Sequence, residues 1–162
     1  MQASDRSLVF DRAWQLVAHV SQLRATGDHV IADLAGLPVI AVRGGDGQIR
    51  VMHNVCRHRA GPIAQCDGLA AKSLRCRYHG WTYTLEGQLR SAPEMQGAAD
   101  FDVNDIRLPP LRVHAWQGLV FVSVDEDVRP FDAVSGGTSS STATSAIARW
   151  SSACWIRSCW PR

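Results

Sequence analysis

The chain contains no stretch approaching the roughly 18 consecutive apolar residues of a membrane-spanning helix. Its polar start, Met1 to Leu8, has no apolar segment ending in a small-residue cleavage site. Neither a membrane anchor nor an export signal is expected, and the protein is placed in the cytoplasm. Charge of one sign is scarce as well: 17 Lys and Arg against 15 Asp and Glu leave a formal net charge of +2, with the signs mixed along the chain. No basic stripe or acidic run marks nucleic acid or a lipid surface as a partner. The cysteines number five, at positions 56, 66, 76, 154 and 159. An odd count at these spacings, without an export signal, does not describe a disulfide framework. Internal repeats are absent too, and 162 residues suffice for one compact domain with its own core.

What is present is a series of short strand signatures. Apolar residues alternate in Trp14-Gln15-Leu16-Val17-Ala18-His19-Val20, and apolar runs recur at His29–Leu34 and Pro38–Val42. Gly44-Gly45-Asp46-Gly47 separates Pro38–Val42 from Gln48–His53, a spacing that predicts a hairpin. Trp81–Leu85, Glu86-Gly87 and Gln88-Leu89 predict a second, and Arg112–Trp116, Gln117-Gly118 and Leu119–Val124 a third. Together they predict a mainly β, small antiparallel fold with little helix, at most near Phe10–Ala13 or Glu94–Asp100. The composition changes after about Val134, where Ser135-Gly136-Gly137-Thr138-Ser139-Ser140-Ser141-Thr142 leads into a stretch with Trp150, Trp155 and Trp160 but no helical or strand period. Residues 1–130 are expected to form the domain. Residues 131–162 are expected to be a tail, either a disordered linker or the product of a shifted frame or truncated gene. Cys154 and Cys159 have no His or further Cys nearby to complete a metal site.

The chemistry lies in Cys56-Arg57-His58, seventeen intervening residues, and Cys76-Arg77-Tyr78-His79. Each half pairs a soft thiolate with an imidazole, which suits a two-iron centre whose irons take two cysteines and two histidines respectively. With neutral imidazoles in place of two thiolates, an oxidised cluster sums to zero charge, which favours accepting an electron. A tetrahedral zinc site is the competing use of two Cys and two His, but such sites usually pair Cys with Cys and His with His. Gly61-Pro62 and Gly80 permit sharp turns beside the two pairs. Cys66 reads as a buried or free thiol, and His19, His29, His53 and His114 as structural histidines. Arg57, Arg59 and Arg77 flank the pairs, either as surface residues or as part of a docking face.

Asn54-Val55-Cys56-Arg57-His58-Arg59-Ala60-Gly61-Pro62, together with Cys76-Arg77-Tyr78-His79-Gly80-Trp81-Thr82-Tyr83 and Glu86-Gly87-Gln88-Leu89, resembles the N-terminal Rieske domain of Rieske non-haem iron oxygenase α subunits of the ring-hydroxylating type. Trp14–His19, Gly27-Asp28, Arg43 and Gly118–Val122 extend the resemblance over roughly residues 8 to 125. It implies a Rieske fold with two ligand-bearing hairpin loops and a [2Fe–2S] cluster, with Cys56 and Cys76 on the inner iron and His58 and His79 on the outer. The respiratory Rieske class fits less well. Its paired disulfide cysteines fall at Gly61 and Tyr78, and its sulfide-bonding serine at Trp81, so the potential is expected toward the lower part of the Rieske range.

The resemblance also implies a catalytic domain in which two histidines and a carboxylate hold mononuclear Fe(II). Downstream of Leu119 this sequence has no histidine from which to build one. The chain is therefore expected to be the electron-transfer part of an oxidoreductase. It would relay electrons from a reductase or ferredoxin toward an oxygenase catalytic domain, in a neighbouring subunit of a trimer. The alternative is a stand-alone Rieske ferredoxin.

Overall fold

The structure is a computed structural model and describes residues 10, 12–95 and 97–135. Among the described residues, nine strands build three three-stranded antiparallel sheets. β1 (Gln15–His19) pairs with β9 (Leu119–Ser123), which pairs with β8 (Arg112–Trp116). β2 (His29–Leu34), β3 (Leu37–Arg43) and β4 (Ile49–His53) form a meander. β5 (Leu74–Arg75), β6 (Thr82–Tyr83) and β7 (Leu89–Ser91) form the third sheet. Each hairpin read from the sequence is present, and the first is widened by β2 into a sheet.

Alternation along β3 divides the interior. Val39, Ile40, Ala41 and Val42 are all buried, because both faces of this strand are covered. Val39 and Ala41, with Val51 of β4, join Ala18, Val120 and Val122 in one core. Ile40, Val42 and Met52 face the other way, into a core with Leu74, Trp81, Tyr83, Leu89 and Leu108. Cys56 and Cys76 are buried in this second core.

Helix is sparse, and of the two places the sequence suggested, Glu94–Asp100 does not carry it. The described residues of Glu94–Asp100 form turns instead, while single 3₁₀ turns occur at Val20–Gln22 and Val103–Asp105. The first continues from β1, where the side chain of His19 accepts the Ser21 N–H and the Gln22 side chain accepts the His19 N–H, reciprocal caps that end the strand. Phe10–Ala13 lies partly outside the described residues. The chain divides into units 1–128 and 129–162, and the described part of the second holds a one-turn helix, Phe131–Val134. The tail beyond Ser135, with Cys154 and Cys159, lies outside the described residues. None of the described helices is long and apolar enough to cross a membrane.

Candidate metal centre

Two loops emerge from the second core with the same backbone scheme. In the first, the Cys56 N–H donates to the Gly61 carbonyl at 2.8 Å and the Ala60 N–H to the Cys56 carbonyl at 3.0 Å. In the second, the Cys76 N–H donates to the Trp81 carbonyl at 2.9 Å and the Gly80 N–H to the Cys76 carbonyl at 3.0 Å. Each loop is thus closed five residues past its cysteine and reverses at the fourth. Ala60 and Gly80, the reversing residues, hold left-handed backbone at φ of 56° and 73°.

This corrects the role expected of Gly61, which does not make the turn. Its lack of a side chain matters for a different reason: a Cβ there would lie 3.3 Å from Cys76 Sγ and 3.4 Å from Tyr78 Cβ. Gly61 is where the two loops come together.

Each loop is tied at its base. The first follows β4 and is pinched by an isolated bridge between Val55 and Pro62. The buried Asn54 side chain secures it further, accepting the N–H groups of Ile63 and Ala64 at 3.1 and 2.9 Å and donating to the Ala64 carbonyl at 2.8 Å. The second loop joins β5 to β6, paired as Leu74 with Tyr83 and Arg75 with Thr82. With a common scheme, the first loop carries its histidine two residues after the cysteine and the second carries it three after. Even so, the rings of His58 and His79 meet edge to face, with centroids 4.6 Å apart and planes at 70°.

The four sequence-predicted residues therefore share one end of the domain, with Cys56 and Cys76 as buried free thiols at 3% and 2% exposure. His58 Nδ1 is buried without a hydrogen-bond partner. An orphaned buried nitrogen costs free energy unless something binds it, and an imidazole nitrogen beside buried thiols is a ready metal donor. Burial, then the neighbouring His79 and Arg59, push the His58 imidazole below its ordinary range, so it is held neutral, the form that binds metal. A zinc site needs four protein donors about one point, whereas a two-iron cluster takes two protein donors per iron. The donor set fits the cluster.

Tyr83, which the sequence names only within the second motif run, stands against the first loop. Its oxygen accepts the Arg57 N–H at 3.1 Å and lies 3.2 Å from Cys56 Sγ. Burial first, then the Cys56 contact, push this phenol well above its ordinary range, so it keeps its proton. Trp81 was noted only for the hydroxyl it lacks, yet it lies flat against His58 at 4.8 Å with planes 6° apart. A Trp two residues after a candidate ligand was the available signal for that contact. Of the remaining histidines, His19 bonds Ser21, His29 bonds the Gly27 carbonyl, and His114 lies edge-on to Trp14. Cys66 is half-buried and lies away from the two loops' cysteines in sequence.

A family model described as the Rieske [2Fe-2S] domain matches residues 13–109. The chain is similar to the carnitine monooxygenase oxygenase subunit of Escherichia coli (strain K12), at 34% identity over 121 residues, covering 75% of this chain and 32% of that protein. It is also similar to biphenyl 2,3-dioxygenase subunit alpha of Rhodococcus jostii (strain RHA1), at 38% identity over 129 residues, 79% of this chain and 28% of that one. A solved quaternary ammonium Rieske monooxygenase, whose study concerns carnitine oxidation and inter-subunit electron transfer, superimposes with a TM-score of 0.77 at 30% identity. That match covers 83% of this chain and 37% of the solved one. The chain spans about a third of the length of the curated relatives it matches.

Proposed function

Since this chain belongs to the Rieske [2Fe-2S] domain family, we propose that it relays single electrons, with Cys56 and Cys76 holding one iron and His58 and His79 the other. The observation that carries this reading is the pair of like-built loops, which bring two buried thiols and two touching imidazoles together and leave His58 Nδ1 without a protein partner. The bound cluster supplies reversible one-electron chemistry. Around it the chain's own groups have distinct tasks. The Tyr83 hydroxyl, free to point at Cys56 Sγ because its oxygen already accepts the Arg57 N–H, draws negative charge from that sulfur. Trp81, 3% exposed, keeps water from one side of His58.

The surface and the relatives support a direction for the relay. Arg57, Arg59 and Arg77 are exposed, and among the described residues no carboxylate pairs with their guanidinium groups. An uncompensated positive collar suits an acidic reductase or ferredoxin as donor. The acceptor is a mononuclear iron in an oxygenase catalytic domain, reached in a neighbouring subunit. That geometry is supported by the inter-subunit transfer described for the solved relative. Residues 1–130 form the working unit in this reading, in the cytoplasm, where thiols stay reduced. Substrate choice lies elsewhere in this reading, because a carnitine monooxygenase and a biphenyl dioxygenase each match about three quarters of the chain.

The test is reconstitution. Loaded protein should contain about two irons and two acid-labile sulfides per chain, and in the reduced state should show two coupled imidazole nitrogens by electron–nuclear double resonance. Its rate of reduction by an acidic ferredoxin should fall as salt is raised. A colourless protein holding one zinc per chain would end this reading.

A further inference from the structure

We propose that Trp81 is the positioning residue of His58, and that its buried indole face, rather than any hydrogen bond, sets the plane in which that ring presents Nδ1. This role holds only if His58 is a ligand, as proposed above.

The torsion that turns a histidine ring about its Cβ–Cγ bond is broad and roughly two-fold, so the side chain alone does not fix the ring plane. Hydrogen bonds usually do so, and in metal sites the second nitrogen is commonly held by a carboxylate or carbonyl. Within the described residues nothing of the kind holds His58: Nδ1, the nitrogen proposed to meet the iron, is buried and orphaned, and the contacts of the ring are with other rings. What restrains the ring is packing. Trp81 lies parallel to it, 6° between planes at 4.8 Å, which is an offset stack. The indole is itself braced, at 3% exposure and with Phe101 edge-on at 5.7 Å.

His79 is placed differently. Its neighbour Tyr78 is tilted by 37° at 3.9 Å, and that tyrosine is 64% exposed. One imidazole is backed by the core and the other by a surface ring, so Trp81 acts on His58 alone. Trp81 Nε1 is the other buried side-chain atom without a partner among the described residues. The indole thus spends its N–H on no neighbour that would hold it, and its place is fixed by its faces.

The test uses the loaded protein and two variants, read by iron and sulfide content, by electron paramagnetic resonance of the reduced state and by midpoint potential. Trp81→Phe keeps a flat apolar face and loses the N–H, whereas Trp81→Leu keeps apolar bulk and loses the face. At unchanged iron content, Trp81→Leu should broaden the resonance lines, as imidazole orientations spread, and shift the midpoint, while Trp81→Phe should stay close to native in both. Native lines and midpoint in Trp81→Leu would overturn the role. So would a Phe variant as altered as the Leu variant, which would move the effect to the N–H. If Trp81→Leu takes up no cluster, Phe101→Ala decides, since it leaves Trp81 in place without its brace. Broadened lines at full iron content then support the role, and unaltered lines overturn it. Native protein lacking two coupled imidazole nitrogens would instead refute the ligand assignment.

Discussion

The two Cys/His loops share a hydrogen-bond scheme but differ in how they meet its demands. Both close on the carbonyl five residues past the cysteine and reverse at the fourth residue. In the second loop the reversing residue is Gly80, which adopts left-handed backbone at no steric cost. In the first it is Ala60, for which that conformation costs about 1–2 kcal/mol. The glycine of the first loop sits one residue later, at Gly61, where room for Cys76 Sγ is needed. Close approach thus takes precedence over backbone ease on the first loop, and the strain at Ala60 is held by the Asn54 anchor and the Val55–Pro62 bridge.

The largest expected effect tests what the loops share. Cys56→Ser and Cys76→Ser should each abolish the visible absorbance, because a hydroxyl is a poor ligand for a soft iron–sulfur site, whereas Cys66→Ser should keep it. Bleaching by the Cys66 change alone would dissolve the correspondence between the loops. Next comes their difference. Gly61→Ala should lower the iron and sulfide bound per chain, its new methyl lying 3.3 Å from Cys76 Sγ. Gly80→Ala should cost about 1 kcal/mol in urea unfolding, while Ala60→Gly should change stability by only a few tenths in either direction, strain relief offsetting chain entropy. Equal losses at both positions would mean that the loops are strained alike.

Tyr83 stands at the base of the second loop, but its hydroxyl bonds the first. Tyr83→Phe removes a donor to Cys56 Sγ that favours the more negative reduced state, so the midpoint should fall. About 1 kcal/mol of lost preference corresponds to roughly 40 mV for one electron, readable by voltammetry. An unchanged or higher midpoint would separate the hydroxyl from the sulfur. The smallest effect is also confined to the first loop's side. Burial, then Arg57, lower the His53 pKa in the folded protein, so the unfolded chain takes up that proton first. Stability from this group is whole above about pH 6.5 and declines as pH drops toward the lowered folded value. His53→Gln should flatten that part of the stability–pH curve, and an unaltered acid slope would discount it.

Much of this architecture could be read from sequence wherever a period or a turn signal was long enough. β2 falls at His29–Leu34 as read, and β3, β4, β8 and β9 within a residue or two, because alternation over five or more residues carries the information. β5, only Leu74–Arg75, has no period to detect and exists through its pairing with Thr82 and Tyr83. The four residues proposed for the metal centre were singled out by their mixed pairing and spacing and by the resemblance those runs carry. Their supports were not, since the Trp81–His58 stack and the Tyr83–Cys56 contact depend on how loops from different strands converge. Ala60 escaped notice because the sequence offers a glycine one position later, and local propensity favours the wrong residue.

The doubly covered strand β3 has a consequence for how the chain folds. The meander β2–β3–β4 joins neighbouring segments through short turns, whereas β1 must find β9 from the far end of the domain. Contacts near in sequence are cheap to close and form early. Both cores need β3, so neither can consolidate before the meander exists. Truncating Ile40 should therefore slow refolding, while truncating Val122 of β9 should mainly speed unfolding. Iron uptake then comes after the wall on which both loops depend has been built.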